Sequence, residues 1–216
     1  MHYAFDWGPV LAHAGLLASG LALTIALSAA GLLGALALGV PIGTAGASGV
    51  RALRRAAVAY VEAVRNVPLL LHIYFWYLGL SALDLPPFLC ATLGLSIYSG
   101  AYAAEIVRGG LMAVPPGQGE AARALGLGRW RTLRSVTYPQ ALRIIAPSLA
   151  SLFSQLIKDS SLASVVAVGE LTYEASAVEA DTFRSFEVYT TVAVLYLVLV
   201  TTVGWTLRAR GTLSDA

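Results

Sequence analysis

The chain has 216 residues, of which 57% are apolar and 12% are charged, and its mean hydropathy is +0.73. Soluble globular domains carry about 25% charged residues, so this composition excludes an ordinary soluble domain and predicts a polytopic α-helical membrane protein of one domain. The net charge of +2 does not indicate nucleic acid as a partner, and the single Cys90 excludes an internal disulfide framework and a zinc or iron–sulfur cluster.

Five stretches predict helices that cross a bilayer, for which about 20 mainly apolar residues are needed. The first and fifth are the most uniformly apolar, whereas the other three carry charges or prolines. The predicted segments cover residues 13–43, 57–80, 86–107, 140–165 and 186–207. The fold class is therefore expected to be all-α, with five transmembrane helices.

The positions of the arginines predict the orientation, because loops on the cytoplasmic side retain positive charge. Arginines follow the first, third and fifth segments, whereas the opposite loops hold mainly acidic residues. We expect residues 1–13 to form an extracytoplasmic N-terminus and residues 209–216 a cytoplasmic tail. The cytoplasmic arginines are Arg51, Arg54, Arg55, Arg108, Arg123, Arg129, Arg131, Arg134, Arg208 and Arg210.

The first segment carries a stripe of small residues four positions apart: Gly31, Ala35, Gly39, Gly43 and Ala47. Such a stripe lets two helix backbones approach closely within a membrane. An alanine- and glycine-rich chain also produces such a stripe by chance, so the sequence leaves both interpretations open.

The most informative cytoplasmic stretch is EAARALGLGRWRTLRSVTYP, residues 120–139. Glu120 is expected at the start of a short helix, where a carboxylate suits the positive end of the helix dipole. Ala121 and Ala122 predict a narrow, smooth surface, and Gly126 is expected to end the helix as a C′ glycine. A solvated basic loop that merely sets the topology is the alternative. The pattern favours a rigid surface that a partner contacts.

This stretch resembles the signature of the membrane subunits of binding-protein-dependent ABC importers. That signature is Glu-Ala-Ala, three residues, Gly, nine residues, Ile, one residue, and Leu-Pro. Here Val136 stands for the isoleucine, and Tyr138 departs from the leucine before Pro139. The resemblance covers roughly residues 14–208. The stretches 65–80, 101–127 and 139–172 narrow it to polar amino acid permeases of the histidine, glutamine and arginine branch.

The resemblance implies a type I ABC importer transmembrane domain over residues 14–208, with a coupling helix region at 112–138. Glu120, Ala121, Ala122 and Gly126 would contact a separate ATPase. The sequence contains no G-x-x-x-x-G-K-[ST] phosphate loop, so this chain is not expected to be an enzyme or to hold a cofactor. ATP and magnesium would be bound by the partner.

The resemblance also implies the assembly and its place in the cell. The partners would be ABC ATPase subunits, a second permease subunit (the same chain or a sister chain), an extracytoplasmic amino-acid-binding protein and membrane lipid. The protein would lie in the bacterial cytoplasmic (inner) membrane. It would import polar amino acids or close analogues by alternating access.

Ionisable side chains within predicted spans are costly and suggest function. Lys158 and Asp159 stand beside Ser160 and Ser161 in the fourth segment. Asp159 is a candidate ligand for an α-ammonium group, and Lys158 for a carboxylate. The alternative is that both satisfy neighbouring helices. Because adjacent helical residues diverge by about 100°, a direct pair between these two is not expected.

The second and third segments hold further candidates for the substrate path. Tyr98, Tyr102 and Glu105 share a helix face that would line a cavity, although Glu105 and Arg108 have the i, i+3 spacing of an ordinary intrahelical pair. His72 lies near mid-membrane and is a candidate for tuning selectivity or a satisfied buried histidine. Glu62 and Arg65 have the same i, i+3 spacing. For them we favour a structural pair.

Three other functions fit the sequence less well. An intramembrane protease would need a Ser–His or paired-Asp arrangement or a G-x-S-x-G run. An ion-driven secondary transporter would be expected to show an inverted repeat, and five spans do not divide into equal halves. A regulatory or export membrane subunit of an ABC system stays open as an alternative.

Overall fold

The structure is a computed structural model that describes residues 4–212. Within that range helices are the only regular secondary structure, which confirms the predicted all-α class. Residues 1–3 and 213–216, which belong to the predicted N-terminus and tail, lie outside the described residues. The helices are α1 (Gly8–Ala12), α2 (Ala14–Ala47), α3 (Arg51–Arg65), α4 (Leu69–Tyr74), α5 (Pro87–Ala113), α6 (Pro116–Ala124), α7 (Arg129–Thr132), α8 (Tyr138–Asp159), α9 (Leu171–Thr182) and α10 (Ser185–Thr212).

Short irregular helices extend three of these elements. A π-helical turn, Phe75–Gly79, continues α4, and a second one, Leu133–Thr137, joins α7 to α8. A 3-10 helix, Ser160–Val166, continues α8, and a single 3-10 turn, Ser81–Leu83, precedes α5. The predicted fourth segment, residues 140–165, is therefore helical throughout, and a short non-helical stretch, residues 167–170, leads to α9.

Two helices among the described residues are long and apolar enough to cross a membrane, Ala14–Ala47 and Ser185–Leu207. They correspond to the first and fifth predicted segments. Helices α5 and α8 have 27 and 22 residues, which at about 1.5 Å per residue is also enough to span a bilayer. Helices α5 and α8 are more polar than α2 and α10.

The predicted second segment, residues 57–80, is bent and does not form one continuous helix. Helix α3 and the segment Leu69–Gly79 meet at an angle of 98°. Pro68 has no N–H with which to continue α3, and it disfavours the helical conformation at Val67. Helix α3 is amphipathic: it buries Ala57, Val61 and Val64 on one side and exposes its arginines on the other.

The core of the molecule is the packing of α2 on α5, through the predicted small-residue stripe. Ala35 is fully buried. A Cβ atom built on Gly39 would lie 2.5 Å from Ala103 Cβ and 2.9 Å from the Gly100 carbonyl oxygen. One on Gly43 would collide with the Ala104 carbonyl. The stripe is therefore a close helix–helix contact and not a chance result of composition.

A buried carboxylate ties α9 to α2 and α10. Glu170 is fully buried and caps the start of α9, where it accepts hydrogen bonds from the Tyr173 N–H (2.9 Å) and the Tyr196 hydroxyl (2.8 Å). On the α2 side, the Leu171 N–H donates to Thr24 Oγ1 at 3.1 Å. This network fixes α9 against two long helices.

Candidate functional site

The predicted partner-contacting stretch forms a compact helical hairpin of α6 and α7. Helix α6 begins at Pro116, because proline at the first helical position has a suitable φ and no N–H to satisfy. The expectation that Glu120 starts the helix is therefore wrong. Glu120 is the fifth residue of α6, so the dipole argument does not apply to its carboxylate.

Gly126 ends α6 as predicted. Its φ is +84°, the left-handed region that glycine adopts without strain. The Gly126 N–H donates to the Arg123 carbonyl at 2.9 Å, and the Leu127 N–H donates to the Ala122 carbonyl at 3.1 Å. These two bonds form a Schellman motif, which satisfies the last carbonyls of the helix. The turn therefore depends on backbone geometry that other residues adopt at a cost.

The hairpin presents one surface to the outside and seats the other on the molecule. Ala122 is buried, whereas Glu120 and Ala121 are exposed. Two large apolar side chains that sequence reasoning missed, Leu125 and Trp130, are also strongly exposed. The sequence could have indicated them, because they lie on either side of Gly126 and Gly128, in a stretch between two predicted membrane segments. Both side chains are therefore available for contact with a partner.

Helix α7 is bonded to the turn that follows α6. The Thr132 N–H donates to the Gly128 carbonyl at 2.9 Å, and Thr132 Oγ1 donates to the Leu127 carbonyl at 3.4 Å. A cavity of about 570 Å³ lies behind the hairpin. It is lined by Gly49, Gly119, Arg123, Arg129, Thr132, Leu133 and Thr137. The hairpin is thus a defined projection, not a solvated loop.

A second group of polar side chains lies on the inner face of α5. The Tyr98 and Tyr102 hydroxyls are 3.2 Å apart. The His72 ring lies 5.8 Å from the Tyr98 ring, centroid to centroid, and His72 Nε2 is 3.2 Å from the Val64 carbonyl oxygen. Arg65 places its guanidinium carbon 4.7 Å above the Tyr102 ring. We call His72, Tyr98, Tyr102 and Arg65 the polar cluster.

Glu105 and Arg108 form the intrahelical pair that their spacing predicts. Arg108 Nη2 and Nε donate to the two carboxylate oxygens of Glu105 at 2.9 and 3.0 Å. Both side chains are partly buried. A bidentate pair occupies the carboxylate, so Glu105 stands one turn beyond Tyr102 with its charge already compensated.

At the end of α8 the predicted candidates point in different directions. Asp159 accepts a hydrogen bond from Gln155 Nε2 at 2.8 Å and lies within electrostatic range of Tyr98. Lys158 is exposed and, within the described residues, forms no ion pair with Asp159, as the divergence of adjacent helical residues predicts.

The two serines after Asp159 bond to their own helix. Ser160 is fully buried and donates to the Ile157 carbonyl at 2.8 Å, and Ser161 donates to the Lys158 carbonyl at 2.7 Å. Of the four neighbouring candidates, only Asp159 is brought towards the polar cluster.

Arg65 is the cluster residue that sequence reasoning missed. The expected structural pair with Glu62 does not form, and Arg65 instead stacks on Tyr102. The signal in the sequence was its place at the end of α3, directly before the Asn-Val-Pro break. Such a break turns the last side chain of a helix towards its neighbours.

No metal site accompanies these groups. Across residues 4–212, no group of three or more His, Cys, Asp or Glu side chains is arranged to hold a metal ion.

Comparison with known proteins gives a consistent result. Residues 35–209 match the family described as binding-protein-dependent transport system inner membrane component. The glutamine transport system permease protein GlnP of Escherichia coli (strain K12) is 36% identical over 208 residues, which are 94% of this chain and 95% of that protein. The probable glutamine ABC transporter permease protein GlnM of Bacillus subtilis (strain 168) is 39% identical over 178 residues, 82% of each chain.

A solved structure shares the whole fold. The crystal structure of an amino acid ABC transporter with histidines has a chain that matches with a TM-score of 0.88 and 32% identity. The match covers 97% of this chain and 99% of that chain.

Proposed function

This chain belongs to the binding-protein-dependent transport system inner membrane components, and from this premise we propose how its parts work. It is the non-catalytic permease of an ATP-driven amino acid importer and a multi-pass protein of the inner membrane. The proposal is that the α6–α7 hairpin receives the movement of a separate ATPase. We propose further that the polar cluster binds a polar amino acid, such as glutamine or histidine, during transport.

The Schellman-capped end of α6 is the observation that carries the docking proposal. It holds Glu120, Ala121 and Leu125 on a rigid projection. The hairpin follows α5 after only two residues and passes through α7 into α8. A force on α6 is therefore transmitted to the two helices that hold Tyr98 and Asp159. ATP and magnesium would be bound by the ATPase and not by this chain.

Co-purification in mild detergent tests the docking proposal. We expect the ATPase to accompany the unaltered chain and to be lost from Glu120→Lys and Gly126→Pro. The first reverses an exposed charge, and the second cannot adopt the φ of +84°. Gly117→Ala is the matched control, since a methyl group there meets open space. Retention of the ATPase by both variants would refute the docking role.

The proposed topology has five spans, with the N-terminus outside and the C-terminus in the cytoplasm. The distribution of arginines supports it, and α5 and α8 supply the third and fourth spans. Labelling with a membrane-impermeant maleimide tests it in a Cys90→Ser background. We expect Asp181→Cys, at a position whose side chain is 72% exposed, to react in intact cells and Gly128→Cys to react only after lysis. If Gly128→Cys reacted in intact cells and the other variant only after lysis, the proposed orientation in the membrane would be wrong.

A second permease subunit is needed because one chain encloses too little for a path. We propose that it is a second copy or a sister chain, and that an extracytoplasmic binding protein delivers the substrate. Alternating access would then separate and rejoin the two subunits while the ATPases close and open. Cross-linking of the purified assembly, followed by mass measurement, distinguishes one permease copy from two.

The polar cluster would bind the charged ends of the substrate. A guanidinium forms bidentate hydrogen bonds with carboxylates, so Arg65 is the proposed α-carboxylate ligand and Asp159 the proposed α-ammonium ligand. Tyr98, Tyr102 and His72 would shape the space between them. We assign smaller roles in the substrate path to Ser160 and Ser161, because their hydroxyls already donate to the backbone. Lys158, which is exposed, also has a smaller role in this proposal.

Uptake of labelled glutamine and histidine into proteoliposomes tests these roles. We expect Arg65→Gln and Asp159→Asn each to lower uptake at least tenfold while ATPase binding persists. Arg55→Gln is the matched control, an exposed arginine on the same helix. Uptake equal to that of the control would remove the residue concerned from the path.

A further inference from the structure

The segment before the first long helix is fastened to the rest of the molecule. We call residues 4–12 the N-terminal strap. Arg184 Nη1 donates to the Ala4 carbonyl at 2.8 Å, and the Asp6 N–H donates to Glu187 Oε1 at 3.0 Å. Glu187 is fully buried. The strap therefore lies across the corner where α9 meets α10.

Further contacts seat the strap on the same corner. Val10 is buried in an apolar cluster that includes Val178 of α9 and Val188 of α10. Just after the strap, His13 Nε2 lies 3.3 Å from a carboxylate oxygen of Asp181. A segment held by polar bonds and by a buried side chain keeps a defined face towards its surroundings.

That face is aromatic and apolar. The Phe5 and Phe186 rings meet edge to face, with centroids 5.3 Å apart. Phe183 is 83% exposed and Leu11 71% exposed. Trp7 is also exposed. We call these five side chains the aromatic face.

Phe183 occupies an unusual backbone position. Its φ is +54°, and it ends α9 where glycine or asparagine is the usual residue. A bulky side chain in the left-handed region is strained. The Phe183 ring is exposed and open to contacts from outside this chain.

The position of the aromatic face identifies those contacts as lipid. Helix α10 begins at Ser185 and is apolar enough to span a membrane, so Phe183 and Phe186 lie at a membrane–water boundary. Aromatic residues concentrate at that depth. The charged residues beside these two rings contact the strap: Arg184 donates to the Ala4 carbonyl and Glu187 accepts from the Asp6 N–H. Arg184 Nη1 lies 3.8 Å from Glu187 Oε1.

We propose that the N-terminal strap and the α9–α10 corner form a lipid-binding surface, with the aromatic face seated in the headgroup region of the bilayer. The strap is thus an interfacial anchor and not a tail in the aqueous phase. The start of a membrane-spanning helix beside these rings favours lipid over a protein partner.

Fluorescence of Trp7 tests the depth of the strap in the assembled transporter. The variant Trp76→Phe, Trp130→Phe, Trp205→Phe leaves Trp7 as the single tryptophan. In phosphatidylcholine–phosphatidylglycerol vesicles we expect acyl chains brominated near the headgroup to quench Trp7 more than chains brominated near their ends. Aqueous iodide is expected to quench it weakly. Strong iodide quenching without bromolipid quenching would overturn the proposal.

A measurement on the unaltered chain keeps the test independent of that variant's folding. Phosphatidylcholine carrying a photoreactive diazirine near its headgroup should label peptides that contain residues 4–12 and 183–186. Labelling confined to other peptides would refute the proposal. Loss of labelling when excess extracytoplasmic binding protein is added would assign the aromatic face to that protein instead.

The variant Phe183→Asn distinguishes a role of Phe183 in lipid binding from a role in the folding of this chain. Asparagine tolerates the left-handed conformation, so a purely structural Phe183 predicts an equally stable variant with unchanged Trp7 quenching. The lipid anchor predicts an equally stable variant in which bromolipid quenching of Trp7 falls at least twofold.

Discussion

Replacing Gly39 by alanine tests whether the small-residue stripe holds α2 against α5. The added Cβ would lie 2.5 Å from Ala103 Cβ, 2.9 Å from the Gly100 carbonyl oxygen and 3.0 Å from the Ala104 nitrogen. Carbon atoms in contact normally stand about 3.5–4.0 Å apart. Because two of the three obstructing atoms are backbone, a change of side-chain rotamer cannot relieve the contact. The helices must separate by about 1 Å, the difference between those carbon distances.

The size of the effect follows from two opposed terms. Overpacking in a closely packed contact costs about 1–3 kcal/mol, and the backbone obstruction places Gly39→Ala near the upper end. Alanine gains about 1 kcal/mol over glycine within a helix. The net loss in the free energy of unfolding is then about 2 kcal/mol, which in a chain of this size lowers the melting temperature by about 4–8 °C.

Thermal unfolding in detergent, followed by size-exclusion chromatography, is the assay. Gly15→Ala is the matched control because it lies in the same helix, where a methyl group meets open space, and it should be slightly more stable than the unaltered chain. The reasoning fails if Gly39→Ala unfolds at the same temperature as Gly15→Ala, since the stripe would then be no tighter than the exposed helix surface.

Three further predictions concern the candidate sites. Gly126→Ala forces a left-handed alanine, which costs about 1–2 kcal/mol and should weaken ATPase binding about 5- to 30-fold; titration calorimetry measures this, and equal affinity with Gly117→Ala would contradict it. Glu170→Ala leaves buried donors without an acceptor, at about 1–3 kcal/mol each, so its melting temperature should fall well below that of Glu170→Gln, and equal melting would refute the network. Glu105→Gln breaks an intrahelical pair worth about 0.2–0.5 kcal/mol, so uptake should hardly change; a large loss would place Glu105 in the substrate path.

The sequence predicted the parts that depend on local pattern. The long apolar stretches gave α2 and α10, because an uninterrupted run of apolar residues in lipid satisfies its backbone only as a helix. Gly126 was predicted as a helix end because few other residues adopt its backbone angles without strain. The spacing around Glu120 resembles a family signature, and ATPase docking at this stretch stays a prediction.

Local pattern failed where a neighbour decided the outcome. The start of α6 was misplaced because Pro116 begins the helix more effectively than a carboxylate four residues later. Hydropathy predicted one continuous helix over residues 57–80, because an average over that stretch hides the break at Pro68. In both places a proline set the end or the start of a helix, which the pattern averaged along the chain did not predict.

The candidate sites show the same difference between features set by local sequence pattern and features set by tertiary contacts. Composition, spacing and the order of charges by themselves determined the class of the protein, its long helices and the glycine turn. Only the tertiary structure placed Arg65 over Tyr102, turned Ser160 into a buried backbone contact and fastened the strap beneath Phe186. The first and third of these contacts join residues far apart in sequence, and the burial of Ser160 depends on neighbouring helices, so no periodicity along one helix encodes them.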